Sequence, residues 1–134
     1  MTKYWLPLTY KPKIEPVLSG KCTQTIRPGD KYKVGDQTAF HGWEGKPYRS
    51  RWSFRTEMFD LNEVIDIIVF PDSIFDYITK MILTDEECDE LARLDNIVPP
   101  TKKELLKVLG SMHDLEYGVD MQIIRWIFYQ GVSE

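Results

Sequence analysis

The sequence predicts an α+β fold, one curved sheet or small barrel with helices packed at its side. Two observations lead there. Short β-rich segments broken by turn residues fill the first half, and two helices with strong start signals stand before a last strand. Taken in order, "WLPLTY" (5–10) reads as a first strand cut by Pro7, and "KPKIEPVLSG" (11–20) as a short helix ending at Ser19-Gly20. That helix would plug or flank the barrel. "TQTIR" (23–27) is the next strand, "RPGDKYKVGD" (27–36) a loop with two turn signals, and "QTAFHGW" (37–43) the third strand. "EGKPYRS" (44–50) reads as a hairpin-like loop and "RWSFRTEMF" (51–59) as its returning strand. "EVIDIIVF" (63–70) is rich in β-branched residues and reads as a strand, whereas "YITKMIL" (77–83) fits either a strand or a helix. Thr84-x-x-Glu87 and Thr101-x-x-Glu104 are capping boxes that start helices over 85–94 and 102–112, with Pro99-Pro100 between them. "MQIIRWIFY" (121–129) closes the chain as a strand, and His113 falls at a helix C-terminus, where a positive charge is favourable.

A length of 134 residues suits one domain spanning 1–134. Such a chain buries roughly 70% of its unfolded surface and needs no staples. Two cysteines, Cys22 and Cys88, lie outside any CxxC pair, and no basic segment followed by an apolar run opens the chain. "VIDIIVF" (64–70) is too short to span a bilayer and is broken by Asp66. These features predict a reduced cytoplasmic protein with no membrane partner. Two histidines and two cysteines, at 41, 113, 22 and 88, lack ligand spacing, so neither a metal nor another cofactor is expected. No P-loop, GxGxxG or GxSxG motif is present.

The net charge of −4 hides an asymmetry. Residues 1–55 hold eleven Lys/Arg against four Asp/Glu, and residues 56–134 hold six against seventeen. A basic half marks a site for an anionic ligand, unless the two halves simply pair across the surface. The acidic stretch from Asp85 to Asp95 has a further reading as a protein-interaction face, although such runs are ordinarily solvated.

Two clusters carry chemistry. "GKCTQTIR" (20–27) is too polar for a strand that only fills a core. Alternation puts Thr23, Thr25 and Arg27 on one face, with Gln24 and Ile26 on the other. Arg27 offers five donors in a fork suited to phosphate, carboxylate or a base edge, and Gly20 permits close approach just before the strand. The plainer alternative is a surface strand. In "FHGWEGKPYRSRWSFR" (40–55), Arg49, Arg51 and Arg55 interleave with Trp43 and Trp52, a mixture suited to single-stranded nucleic acid or a nucleotide. The alternative there is a hairpin with a buried Trp face and a solvated Arg face.

"VLSGKCTQTIRPGDKYKVGDQ" (17–37) resembles the signature of ASCH domains, relatives of the PUA RNA-binding fold, whose pattern GxKxxExR follows a short helix. "ELARLDNIVPPTKKELLKVL" (90–109) resembles the family's two helices, and "MQIIRWIF" (121–128) its closing strand. The resemblance implies a PUA-like small mixed β-barrel with flanking helices. Gly20 and Arg27 match the motif, Cys22 stands where the family has lysine, and Thr25 stands where most members have glutamate. A branch of small hydrolases that deacetylate N-acetylated cytidine nucleosides also has threonine there. In that branch the lysine, the threonine and a later carboxylate, which falls near Asp95, are implicated in catalysis. Lys21 sits one residue early, and a shift of one turns a strand side chain to the other face. Cys22 is either a nucleophile activated by a nearby cation or a small buried cysteine. The expected function is therefore binding of RNA or a nucleotide in a cleft lined by the 20–27 strand. The alternative is amide hydrolysis of an acylated nucleoside by Thr25, Asp95 and either Lys21 or Cys22.

Overall fold

A computed structural model of the protein describes residues 1–43 and 52–129; the side chains of Trp43 and Trp52 lie outside that description. Along the chain run β1 (Lys3–Pro7), α1 (Lys11–Ser19), β2 (Gln24–Pro28), β3 (Gln37–Trp43), β4 (Trp52–Arg55) and β5 (Phe59–Val69). β6 (Ile74–Asp76), β7 (Met81–Ile82), α2 (Asp85–Leu94), α3 (Lys102–Met112) and β8 (Val119–Trp126) follow. The architecture is α+β, with a mixed sheet and three helices among the described residues. β1 pairs parallel to β3, and every other pairing is antiparallel. The ladder runs β1-β3-β5-β6-β7, with β4 on β3, β8 on β5 and β2 on β8. Among the described residues it does not close on itself. No helix among them is long and apolar enough to cross a membrane.

β8 organises the core because both of its faces are buried. Met121 and Ile123 enter one apolar cluster with Ile67, Val69, Ile74, Leu91 of α2 and Leu105 of α3. Ile124 and Trp126 enter a second with Leu6, Val17, Phe40, Phe59 and Leu61. β5 serves both clusters through a bulge. Its register against β8 slips between Leu61 and Glu63, so odd-numbered residues face one cluster before the slip and the other after it.

Several boundaries move from those the sequence predicts. The first strand lies at 3–7, not 5–10, and the last at 119–126, not 121–129. The segment 51–59 is divided, since β4 ends at Arg55 and Phe59 already opens the 11-residue β5, which takes in the strand predicted over 63–70 up to Val69. The ambiguous 77–83 is mostly a turn leading into the two-residue β7. Asp76 decides this: its Oδ1 accepts from Ile78 N at 2.8 Å and Thr79 N at 3.3 Å, offering the backbone a local alternative to helix or ladder. Both late helices match their predicted limits. Thr84 and Glu87 form the complete capping box, while at α3 only the half in which Thr101 accepts from Glu104 N is made.

Candidate functional site

β2 is polar because its neighbours are helix ends. The Cys22 thiol, just before the strand, has two carbonyl acceptors, Gln24 O at 3.3 Å and Leu94 O at 3.4 Å. Gln24 Nε2 donates to Leu91 O at 3.2 Å. Leu91 and Leu94 lie in the last turn of α2, and Leu91 O also accepts from the Asp95 backbone N–H at 2.9 Å. Two side chains at the start of β2 therefore dock the C-terminus of α2.

That docking delivers Asp95, the C-cap of α2. The residue is 5% exposed, and its carboxylate is held on both oxygens. Gln24 Nε2 donates to Oδ1 at 3.2 Å, and Lys13 Nζ pairs with Oδ2 at 2.8 Å. Lys13 is itself only 4% exposed and comes from α1, where Lys13 and Val17 are the buried residues. A lysine one turn from a fully buried valine thus lies on the inward stripe of its helix.

Lys13 and Asp95 line a cleft of about 270 Å³ together with Thr25 and Arg27. Thr25 and Arg27 share a face as strand alternation requires, with Arg27 Nε 3.4 Å from Thr25 Oγ1. Arg27 Nη2 donates to Pro7 O at 2.8 Å, and the guanidinium carbon lies 5.8 Å from the centre of the Phe40 ring. No carboxylate pairs with Arg27 among the described residues. Burial pushes its pKa down, and Arg27, after burial, also helps lower that of His41. The opposite wall is apolar, with Ile97 and, from α3, Val108, Leu109 and Met112. His113 caps α3 as expected and stands on the cleft wall. The site is thus a hollow with a charged floor, an apolar wall and a half-buried cation, Arg27, that makes no ion pair with a carboxylate among the described residues.

Other residues singled out in the sequence lie elsewhere. Gly20 has φ 85° and is the C-cap of α1, but it does not line the cleft. What approaches it is Phe128, whose Cδ1 would stand 2.5 Å from an added Cβ. Thr23 is half-buried outside the cleft, and Lys21 and Arg55 are exposed. Arg49, Arg51 and the side chains of Trp43 and Trp52 fall outside the described residues. Cys22 is fully buried, and burial, ahead of the opposing effect of Lys13, pushes its thiol pKa up, which is the reverse of what a nucleophile needs. Cys88 is also buried, with its thiol pushed up by burial first. Both cysteines of the native protein are therefore expected to label with a thiol reagent at pH 8 at least about 100-fold more slowly than free cysteine. Rapid modification of one thiol per chain, identified by mass spectrometry as Cys22, would restore it as a candidate nucleophile.

A larger and shallower hollow of about 680 Å³ lies over Asp72, Asp85, Asp89 and Lys102. Lys102 Nζ pairs there with Asp85 at 2.8 Å, and the Lys102 backbone N–H donates to Asp89 Oδ1 at 2.7 Å. The candidate site is the smaller cleft, where four buried or half-buried polar side chains converge. Among the described residues, no group of three or more His, Cys, Asp or Glu gathers as a metal site would need.

Fold and site together define a class: an α+β domain whose mixed sheet stays open among the described residues, with a side cleft carrying a buried ion pair. Comparison with protein-family models, with curated proteins and with solved structures finds no match for this chain.

Proposed function

We propose that this chain is an ASCH-type, PUA-like domain whose cleft hydrolyses the amide of an N-acylated cytidine-type nucleoside. One observation carries the reading: Lys13, Thr25, Arg27 and Asp95 line a single hollow. The resemblance implies a lysine, a threonine and a carboxylate, and it left the lysine unfilled at Cys22. Lys13 supplies an ammonium from α1, ion-paired at 2.8 Å to the carboxylate that the resemblance points to. The volume of about 270 Å³ falls near the lower end of small-ligand sites, suited to a single nucleoside and not to a length of strand.

In this reading the Thr25 hydroxyl takes part in attack on the acyl carbon. Asp95 accepts the proton released and passes it to the exocyclic nitrogen as the C–N bond breaks. Water completes the balance, giving a carboxylic acid and the free nucleoside amine. Arg27 donates to the ligand's carbonyl oxygens, and Lys13 faces the charge that develops on the acyl oxygen. Incubation with N4-acetylcytidine should release cytidine, followed by chromatography. Thr25→Ala should reduce the rate by about 100-fold or more, while Lys21→Ala should match the unmodified protein. No release by the unmodified protein, or equal release by Thr25→Ala, overturns the proposal.

The second reading, binding of RNA or a nucleotide without chemistry, is favoured by Arg27, which makes no ion pair among the described residues, and by the basic first 55 residues. It requires binding of short single-stranded RNA that weakens steeply between low and moderate salt. Absence of binding at low salt removes it.

A further inference from the structure

Asp95 is held by more than Lys13. Gln24, Arg125 and Glu63 are cross-strand neighbours in one row: Gln24 opposite Arg125 between β2 and β8, and Arg125 opposite Glu63 between β8 and β5. Arg125 Nε donates to Gln24 Oε1 at 2.9 Å, and Arg125 Nη1 reaches Glu63 Oε1 at 2.8 Å. Gln24 Nε2 then donates to Leu91 O and Asp95 Oδ1, each at 3.2 Å.

The direction of this chain is set by chemistry. A guanidinium only donates, so the group facing it on Gln24 has to be the oxygen. The amide nitrogen is thereby turned toward Leu91 O and Asp95, both acceptors. A flipped Gln24 would set its oxygen against two oxygens and its NH₂ against an N–H donor, losing three hydrogen bonds at a residue 2% exposed. Arg125 thus fixes the amide, and the amide fixes Oδ1 of Asp95. Oδ2 is left for Lys13, which lines the cleft together with Asp95.

We propose that Gln24 and Arg125 are positioning residues, a polarised hydrogen-bonded arm that reaches across the sheet and aims the Asp95 carboxylate into the cleft. The catalytic consequence rests on the hydrolase reading; the arm itself does not. Arg125 is partly exposed, so Arg125→Met keeps the aliphatic packing while removing the donor.

Two measurements separate the claims. By NMR with hydrogen exchange, the Gln24 side-chain amide protons should be protected in the unmodified protein and exchange about tenfold faster or more in Arg125→Met. With N4-acetylcytidine, Arg125→Met should lower kcat about tenfold or more with KM within about twofold, because the carboxylate is misaimed while the binding groups stay. Arg125→Lys, which still donates to Gln24, should recover part of both effects. Unchanged amide protection in Arg125→Met overturns the arm, and a loosened amide with unchanged kcat overturns its role in positioning. If the unmodified protein gives no turnover, the hydrolase reading fails, and the arm stands or falls on the amide protons alone.

Discussion

Lys13→Met is expected to destabilise the protein by about 3–5 kcal/mol, because it leaves the Asp95 carboxylate buried without its counter-ion. The native pair is almost inaccessible to water, with side-chain exposures of 4% and 7%. The Gln24 donor remains after the substitution, but one neutral hydrogen bond does not offset the desolvation of an ion. Against a total stability of about 5–15 kcal/mol, such a loss is large enough to read in a urea titration. The double substitution Lys13→Met with Asp95→Asn should recover most of it, since the charge is gone and the acceptor for Gln24 Nε2 is kept. Turnover of N4-acetylcytidine should be lost in both by about 100-fold or more. A single variant within about 1 kcal/mol of the unmodified protein would mean that the ion pair is not buried in solution as described.

Arg27→Met is expected to behave in the opposite way. Arg27 is a half-buried cation that makes no ion pair with a carboxylate among the described residues, and its pKa is lowered chiefly by burial. A guanidinium stays protonated at ordinary pH in folded and unfolded chains alike, so the cost of burying it does not vary there. Removing the charge relieves that cost, while Pro7 O loses the donor it accepts from at 2.8 Å. The two terms oppose each other, and stability should stay within about 1 kcal/mol of the unmodified protein. The ligand then loses a charged donor, and kcat/KM for N4-acetylcytidine should fall about 10- to 100-fold. Two cations lining one cleft, Lys13 buried and Arg27 half-buried, each changed to methionine, would separate a charge that holds the fold from one that serves the ligand. A loss of several kcal/mol in Arg27→Met would place Arg27 in the first group and remove it as a ligand anchor.

How much of this was legible in the sequence differs by element. α2 and α3 were readable to the residue because their start signals are local: a threonine and a glutamate three positions apart meet within the first turn. The shared face of Thr25 and Arg27 followed from strand alternation alone. The bulge in β5 left no such mark, since Asn62 differs little from any other polar residue of that strand, and the slip exists only against β8. The turn at Asp76 had a signal, an aspartate before a mixed segment, but period could not weigh it.

Within the site, Asp95 was reachable by resemblance and Lys13 was not. The one trace of Lys13 was its spacing, four residues before Val17 on a short helix that contains Pro16. In sequence it reads as one more cation in a basic segment. Gln24 was assigned to the inward face with Ile26, with no account of what a buried amide would bind there. By itself the sequence determined which segments fold locally and which way their side chains alternate, because capping and pleating are settled between residues a few positions apart. Only the tertiary structure decided which charges are buried together, because α1, β2, β8 and the end of α2 come from distant parts of the chain, and what a buried charge costs depends on the partner it meets there.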